Sequence, residues 1–168
     1  MKELGVNIFR FVLLVFLQIF VLNNIQFSGF VNPYLYIIFI LLLPFEISGA
    51  FMLILAFCMG LVIDIYSITL GYHTMATVFM AYFRIHLLRH IAPHDGYEPG
   101  MSPTVSSLGL AWFVRYATIL TLAHHFVLFW IESFSPTDLL PATLRALASS
   151  VFTIFLIIIY QLLSARGK

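Results

Sequence analysis

The chain has 168 residues, of which 62% are hydrophobic and only 9% are charged, against about 45–50% and about 25% in a soluble globular protein. Eight Lys and Arg and seven Asp and Glu cannot cover the surface of a soluble domain of this size, so much of the apolar surface must face lipid. The net charge of +1 excludes a basic field that would hold nucleic acid. The single cysteine, Cys58, lies in an apolar run and is interpreted as a small buried side chain.

Charge-free runs predict membrane-spanning helices, each of which needs about 20 mainly apolar residues. The first helix is predicted at 5–22 and is expected to be retained, because no small-residue cleavage pattern follows it. The second is predicted at 30–45, beginning near Pro33 and ending at Pro44. Its stretch of about 12 strongly apolar residues spans only about 18 Å. It therefore either takes residues from Ile25 onward or is re-entrant.

Four further helices are predicted at 49–65, 73–90, 108–131 and 139–163. The one sizeable loop, residues 91–107, contains three prolines and several other turn-forming residues, so it is expected to be neither helical nor buried. The resulting fold class is an all-α membrane protein, a bundle of six transmembrane helices that forms a single domain over residues 1–168.

The distribution of basic residues tests the number of helices. With six helices and the N-terminus inside, seven of the eight Lys and Arg residues fall on the cytoplasmic side or at its interface, and only Arg145 does not. Without a spanning second helix, the Arg84 to Arg89 region and the C-terminus would move outside. The positive-inside rule therefore predicts six spans with both termini in the cytoplasm.

Ionisable residues at membrane depth are candidates for structural pairing or partner binding, because each costs about 2.5–3.5 kcal/mol to insert unpaired. Glu46, Arg84 and Arg115 are predicted near the cytoplasmic side, whereas Asp64, His124, His125 and Glu132 are predicted near the outer side. We expect Asp64 to pair with His124 or His125, and Glu46 to pair with Arg84 or Arg115. Whether such pairs only stabilise the bundle or also bind a partner is left open by the sequence.

The patterns that would indicate catalysis or metal binding are incomplete. His86, His90 and His94 recur every four residues, but Pro93 is expected to end the helix before His94, and no tetrahedral ligand set is formed. Asp64 has no second aspartate at membrane depth, so an intramembrane aspartyl protease is not indicated. The sequence predicts a protein that is not an enzyme and that holds no cofactor or metal.

Several sequence blocks resemble one family, the rod shape-determining protein MreD family in its Bacteroidota-like form. The resemblance covers about residues 30 to 132, and the first and last helices match by hydropathy alone. Its most specific parts are Pro44-Phe45-Glu46 and Gly60-Leu61-Val62-Ile63-Asp64. The other blocks are residues 32–36, 41–43, 65–67, 70–73, 79–84, 95–98, 107–110 and 124–132.

The resemblance implies a non-catalytic subunit of the cell-wall elongation complex in the bacterial inner membrane, which helps to determine rod cell shape. It implies binding to the bitopic protein MreC, and an indirect link to MreB filaments and to the peptidoglycan synthase RodA with its transpeptidase. The family is similar in fold to the six-helix substrate-binding subunits of energy-coupling-factor vitamin transporters. It carries no catalytic residues over to this chain.

Two functions therefore remain open: a scaffold of the shape-determining complex, and a membrane subunit that binds a vitamin or another small molecule for transport. The scaffold is favoured because the outer loops are short and offer little to build a polar pocket. Partner contacts of a scaffold would be sought first at small residues, namely Ala56, Gly60 and the stretch 142–150, although these residues could equally pack the protein's own bundle.

Overall fold

The computed structural model describes residues 2–25, 30–98, 100–133 and 136–166, and this part of the chain is helical without a β-strand. The predicted all-α class is confirmed for these residues. The α-helices are α1 (Lys2–Phe20), α2 (Ile38–Leu41), α3 (Gly49–Ser67), α4 (Tyr72–His90), α5 (Val105–Leu108), α6 (Leu110–Ser133) and α7 (Leu139–Arg166). Short 3₁₀ turns occupy Leu22–Asn24, Leu35–Ile37 and Pro136–Asp138.

Four helices in the described part of the chain are long and apolar enough to cross a membrane. They are α1 with the turn that follows it (Gly5–Asn24), α3, α6 and most of α7 (Leu139–Ala165). Helix α4 has 19 residues and is long enough as well, but its two arginines and three histidines make it too polar to qualify by composition. The chain is therefore compatible with a multi-pass membrane protein.

The helix predicted at 30–45 is much shorter than expected. Its helical part runs only from Leu35 through Leu41, first as a 3₁₀ turn and then as α2, and residues 30–34 are not helical. All side chains from Tyr36 to Leu43 are buried, with at most 3% exposed. Non-helical backbone is tolerated at membrane depth only where it is enclosed by protein. We call residues 30–45 the broken segment.

The broken segment runs through the bundle antiparallel to α1. At one end, Gln18 near the end of α1 donates from Nε2 to the Pro33 carbonyl at 3.0 Å. Farther along, the ring of Phe11 packs edge-on against Phe39, with centroids 5.3 Å apart. Near the start of α1, Asn7 lines one cavity together with Leu43 and Glu46. The broken segment thus reaches the end of the bundle at which α1 begins.

The beginning of α1 and the end of α7 lie at the same end of the bundle. Arg10 of α1 lines a small cavity together with Ser164 and Ala165 of α7. At this end the Val105 amide also donates to Gln161 Oε1 of α7 at 3.1 Å. We refer to it as the terminal end and to the other as the distal end.

The loop at 91–107 differs from the prediction. It is mostly irregular, but it contains the start of the single-turn helix α5, and Pro103 within it is buried. Thr104 caps α5 by accepting a hydrogen bond from the Ser107 amide at 3.2 Å. Tyr97 stacks on Phe45 with ring centroids 3.9 Å apart. The loop is thus held by contacts with the broken segment and with α7. Its turn-forming residues alone predict that it is exposed.

The small residues considered for partner binding pack the protein's own bundle. A Cβ atom at Gly60 would lie 2.5 Å from Thr74 Cα, so Gly60 allows α3 and α4 to touch closely. Ala56, Ala142 and Ala146 are buried as well. Cys58, in contrast, is exposed on α3, so the prediction that it is buried was wrong, because α3 turns that face away from its neighbours.

Candidate functional site

Side chains of α1 and α7 satisfy the backbone of the broken segment near the distal end. Gln18 accepts from the Tyr36 amide at 3.4 Å while it donates to the Pro33 carbonyl. From α7, Thr153 Oγ1 accepts from the Tyr34 amide and Ser149 Oγ accepts from the Asn32 amide, both at 3.1 Å. Lipid offers no replacement for these bonds, so each of these polar side chains has a structural reason to lie in an apolar helix.

A buried cluster of one tyrosine and three histidines lies beside this part of the segment. The Tyr36 hydroxyl lies 2.7 Å from His124 Nε2, 3.1 Å from His73 Nδ1 and 3.2 Å from Thr77 Oγ1. His125 continues the cluster, with its Nδ1 3.4 Å from His124 Nδ1. We call Tyr36, His73, His124, His125 and Thr153 the histidine cluster.

One set of neutral tautomers satisfies most of the histidine cluster. Thr77 donates to the His73 carbonyl at 2.6 Å, so its oxygen is free to accept the Tyr36 proton, and Tyr36 then accepts from both His73 and His124. His125 Nδ1 lies 2.9 Å from the Thr121 carbonyl and donates to it. Thr153 can then donate to His125 Nε2 at 3.2 Å. Most of the cluster's polar atoms are therefore engaged within the protein.

Asp64 packs inward, as predicted, but its predicted partner is wrong. The carboxylate accepts from the backbone amides of His73 at 3.1 Å and Thr74 at 2.8 Å, and from the hydroxyls of Thr69 and Thr74. The two amides belong to the first turn of α4, whose N–H groups have no partner within the helix. Asp64 therefore caps α4 from the preceding helix, and His124 contacts Tyr36 instead.

Arg84 is buried, with 1% exposed, and stabilises the other half of the broken segment. Its Nη2 donates to the Leu43 carbonyl, its Nε donates to the Tyr116 hydroxyl at 2.7 Å, and Nη1 lies 2.9 Å from Met52 Sδ. Tyr116 in turn donates to the Leu41 carbonyl at 2.8 Å. Leu41 is the last residue of α2 and Leu43 lies just beyond it, so no following helical turn donates N–H groups to these two carbonyls.

The predicted pairing of Glu46 with Arg84 or Arg115 is wrong. Within the described residues Glu46 forms no ion pair with either arginine, and it accepts instead from the Gly100 amide at 3.0 Å. Arg84 donates to the Leu43 carbonyl, and Arg115 lies exposed on α6. In the neighbouring loop, partial burial raises the pKa of Tyr97 to about 12.

Glu132 at the end of α6 pairs with Arg145, the basic residue that the positive-inside pattern left on the outer side. The nearest nitrogen and oxygen lie 3.7 Å apart, and the guanidinium lies 4.8 Å from the centre of the Phe129 ring. Both side chains are partly exposed, so the pair contributes about 0–1 kcal/mol. Its larger effect is to neutralise Arg145 near the distal end.

His86, His90 and His94 do not converge. Helix α4 ends at His90, as Pro93 predicted, and His90 Nδ1 lies 2.8 Å from the His86 carbonyl. His94 lies exposed in the loop beyond. Among the described residues, no group of His, Cys, Asp and Glu is arranged to hold a metal ion.

A polar cavity of about 350 Å³ lies at the distal end, next to the histidine cluster. Three asparagines, three tyrosines, Ser67, Thr69, His73 and Glu132 contribute to its lining. Asn32 Oδ1 is buried without a hydrogen-bond partner in the described structure. The short outer loops predict no such pocket, but the helix ends themselves form it.

No protein-family model, curated protein or solved structure matches this chain. What the chain can do must therefore be argued from its own residues and their geometry.

Sequence reasoning identified Asp64, Arg84, His124 and His125 but missed residues that bond to them or to the broken segment. The missed residues are Gln18, Tyr36, Tyr116, Ser149 and Thr153. One available signal was the polar residue inside a charge-free helix, since Gln18 is such a residue in α1, and Ser149 and Thr153 recur four apart on one face of α7. The two tyrosines gave no signal, because tyrosine is also common on lipid-facing surfaces.

Proposed function

We propose that this protein is a non-catalytic inner-membrane subunit of the cell-wall elongation complex, of the MreD kind, which acts by binding other membrane proteins. Its main partner would be a bitopic protein resembling MreC. Through that partner it would link MreB-like filaments to a RodA-like synthase and its transpeptidase. The resemblance in residues 30–132 supports the identity of the complex.

The observation that carries the non-catalytic part of the proposal is the use made of the buried polar groups. Asp64 and Arg84 bind backbone groups at interrupted helices, and His124 and His125 bind Tyr36 and the Thr121 carbonyl. A catalytic site needs a nucleophile or base with room for a substrate beside it. These groups instead stabilise a fold whose outer faces remain apolar, which supports a role in binding within the membrane.

The proposed topology has six crossings with both termini in the cytoplasm. Five are the long helices, and the sixth is the broken segment, which has contacts near both ends of α1. Extended residues advance about 3.3 Å each and helical ones about 1.5 Å, so 16 residues of mixed conformation can traverse a core of about 30 Å. The terminal end would then face the cytoplasm.

The proposal is tested by deleting the gene and by purifying a tagged protein in mild detergent. We expect rounded cells that still synthesise wall material, and co-purification of an MreC-like protein with the tagged chain. Normal cell shape after deletion, with no such protein recovered from wild-type membranes, would contradict the scaffold function. An unrelated six-helix protein with the same tag and abundance serves as the control.

The distal cavity favours a second candidate, a small-molecule-binding subunit of a transporter. Its volume of about 350 Å³ lies at the lower end of the range for ligand pockets, about 300–1,000 Å³. Its lining combines amides, hydroxyls, aromatic rings and one carboxylate, which suits an uncharged or cationic polar ligand. High-affinity binding of a vitamin or similar molecule, with an ATPase module recovered in the purification, would favour this function over the scaffold.

A further inference from the structure

Arg84 is a buried cation that pairs with no carboxylate in the described part of the chain, where the one ion pair joins Arg145 and Glu132. Its described partners are a carbonyl, a hydroxyl and a thioether, all of them neutral. A thioether sulfur is a weak acceptor, and three contacts leave two of the five guanidinium N–H groups without an assigned acceptor. A buried guanidinium with only neutral partners costs free energy to desolvate unless an anion compensates its charge.

A cavity of about 450 Å³ lies directly against Arg84 at the terminal end of the bundle. Arg89, five residues further along α4, lines it too, and so does Gly49 at the first position of α3, where the helix dipole favours an anion. No acidic residue is among the described residues that line it. Both charged side chains that line this cavity are therefore cationic.

The rest of the cavity wall is apolar or aromatic and includes Phe45, Met52 and Tyr97. A small hydrated anion would gain from the two arginines but would lose hydration against these walls. A molecule with an anionic head and an apolar tail satisfies both parts of the lining. The composition of the cavity wall therefore favours binding of an anionic amphiphile over binding of a free anion.

We propose that this cavity binds the phosphate group of an anionic phospholipid, with Arg84 at its base, Arg89 at its rim and the acyl chains against the apolar wall. The lipid phosphate would compensate the Arg84 charge that no side chain neutralises. This site lies at the opposite end of the bundle from the distal polar cavity, and it does not depend on which proposed function is correct.

The experiment measures binding of short-chain phosphatidylglycerol to the purified full-length protein by native mass spectrometry, with phosphatidylcholine of equal chain length as the comparison. We expect tighter binding of phosphatidylglycerol, weakened about fivefold by Arg89→Gln, since one basic residue contributes about 1 kcal/mol near an anionic lipid. Ala92→Trp, at another lining residue that is exposed, should reduce binding by filling the cavity.

The matched control is Arg115→Gln, which removes an exposed basic residue that does not line the cavity. This variant should leave the affinity unchanged within about twofold, because screening limits the reach of an exposed charge to about 8 Å. Equal binding of both lipids, or equal loss in the Arg89 and Arg115 variants, would overturn the proposal. Displacement of the lipid by millimolar inorganic phosphate would overturn the lipid assignment and indicate a site for free phosphate. Arg84 itself is not substituted, because it also stabilises the fold.

Discussion

The buried charged side chains Asp64 and Arg84 form hydrogen bonds with backbone groups. Asp64 accepts from two amides at the start of α4, and Arg84 donates to a carbonyl just beyond the end of α2. In water these groups would be solvated at little cost, but in a membrane an unpaired amide or carbonyl costs several kcal/mol. At the residue scale, each charge is therefore explained by a helix that starts or stops inside the bundle.

Replacing Asp64 by leucine should destabilise the protein by about 1–3 kcal/mol or more, because the buried amide of His73 loses its acceptor and the partly buried amide of Thr74 loses one as well. The measurement is thermal unfolding in detergent, followed by tryptophan fluorescence. Asp95→Leu, at an exposed position of the loop, serves as the control and should change the midpoint little. Equal midpoints for the Asp64 variant and the wild type would contradict the capping role.

Replacing Tyr116 by phenylalanine should cost about 1–3 kcal/mol, because one hydroxyl both accepts from Arg84 and donates to the Leu41 carbonyl. The variant keeps the aromatic ring, so packing stays nearly unchanged. Tyr82→Phe is the matched control, since Tyr82 is 54% exposed. Chemical unfolding of both variants distinguishes the loss of these hydrogen bonds from the loss of a hydroxyl in general. Equal free energies of unfolding for the Tyr116→Phe and Tyr82→Phe proteins would argue against the role of Tyr116.

At the scale of elements, the bundle depends on close packing of α3 on α4 and of α6 on α7. Gly60 faces Thr74 so closely that only a hydrogen fits between the helices. Ala146, Ser149 and Ser150 are fully buried on α7. Helices in lipid gain little from hydrophobic burial, so small residues that permit backbone contact contribute much of their association.

Gly60→Ala should therefore destabilise the protein by about 1–3 kcal/mol, because its Cβ would overlap with backbone atoms of α4. The same change at Gly5, where a Cβ would meet nothing within 4 Å, should be neutral or should stabilise α1 by up to about 1 kcal/mol. Unfolding midpoints of the two variants provide the comparison. A Gly60→Ala protein as stable as the Gly5→Ala protein would show that α3 and α4 are not held at this distance.

At the scale of the whole molecule, the proposed six crossings put both termini on one side of the membrane. The contact of Arg10 and Ala165 with one small cavity is the structural support. Reporter fusions at the N-terminus and after residue 168 should both report the cytoplasm, whereas a fusion between residues 133 and 136 should report the outside. A C-terminal reporter that is active only outside would exclude six crossings.

The sequence by itself predicted helices long and apolar enough to cross a membrane, because long charge-free runs have few alternatives to helices in lipid, and four such helices are found in the described part of the chain. It also predicted most helix limits, such as the end of α4 before Pro93. The inward position of Asp64 was predicted as well. These properties depend on local composition and spacing. They need no knowledge of which helices are neighbours.

Only the tertiary structure decided how the polar residues are partnered and how far the second predicted helix extends. Hydropathy treats residues 30–45 as one apolar run, yet its helical part covers only residues 35–41. The backbone groups on either side are bonded by side chains of Gln18, Thr153, Tyr116 and Arg84. Charge signs suggested pairing Glu46 with arginine, but Arg84 donates to the Leu43 carbonyl of the broken segment instead. A backbone group has the same chemistry at every position, so its need for a partner becomes visible only when the chain is folded.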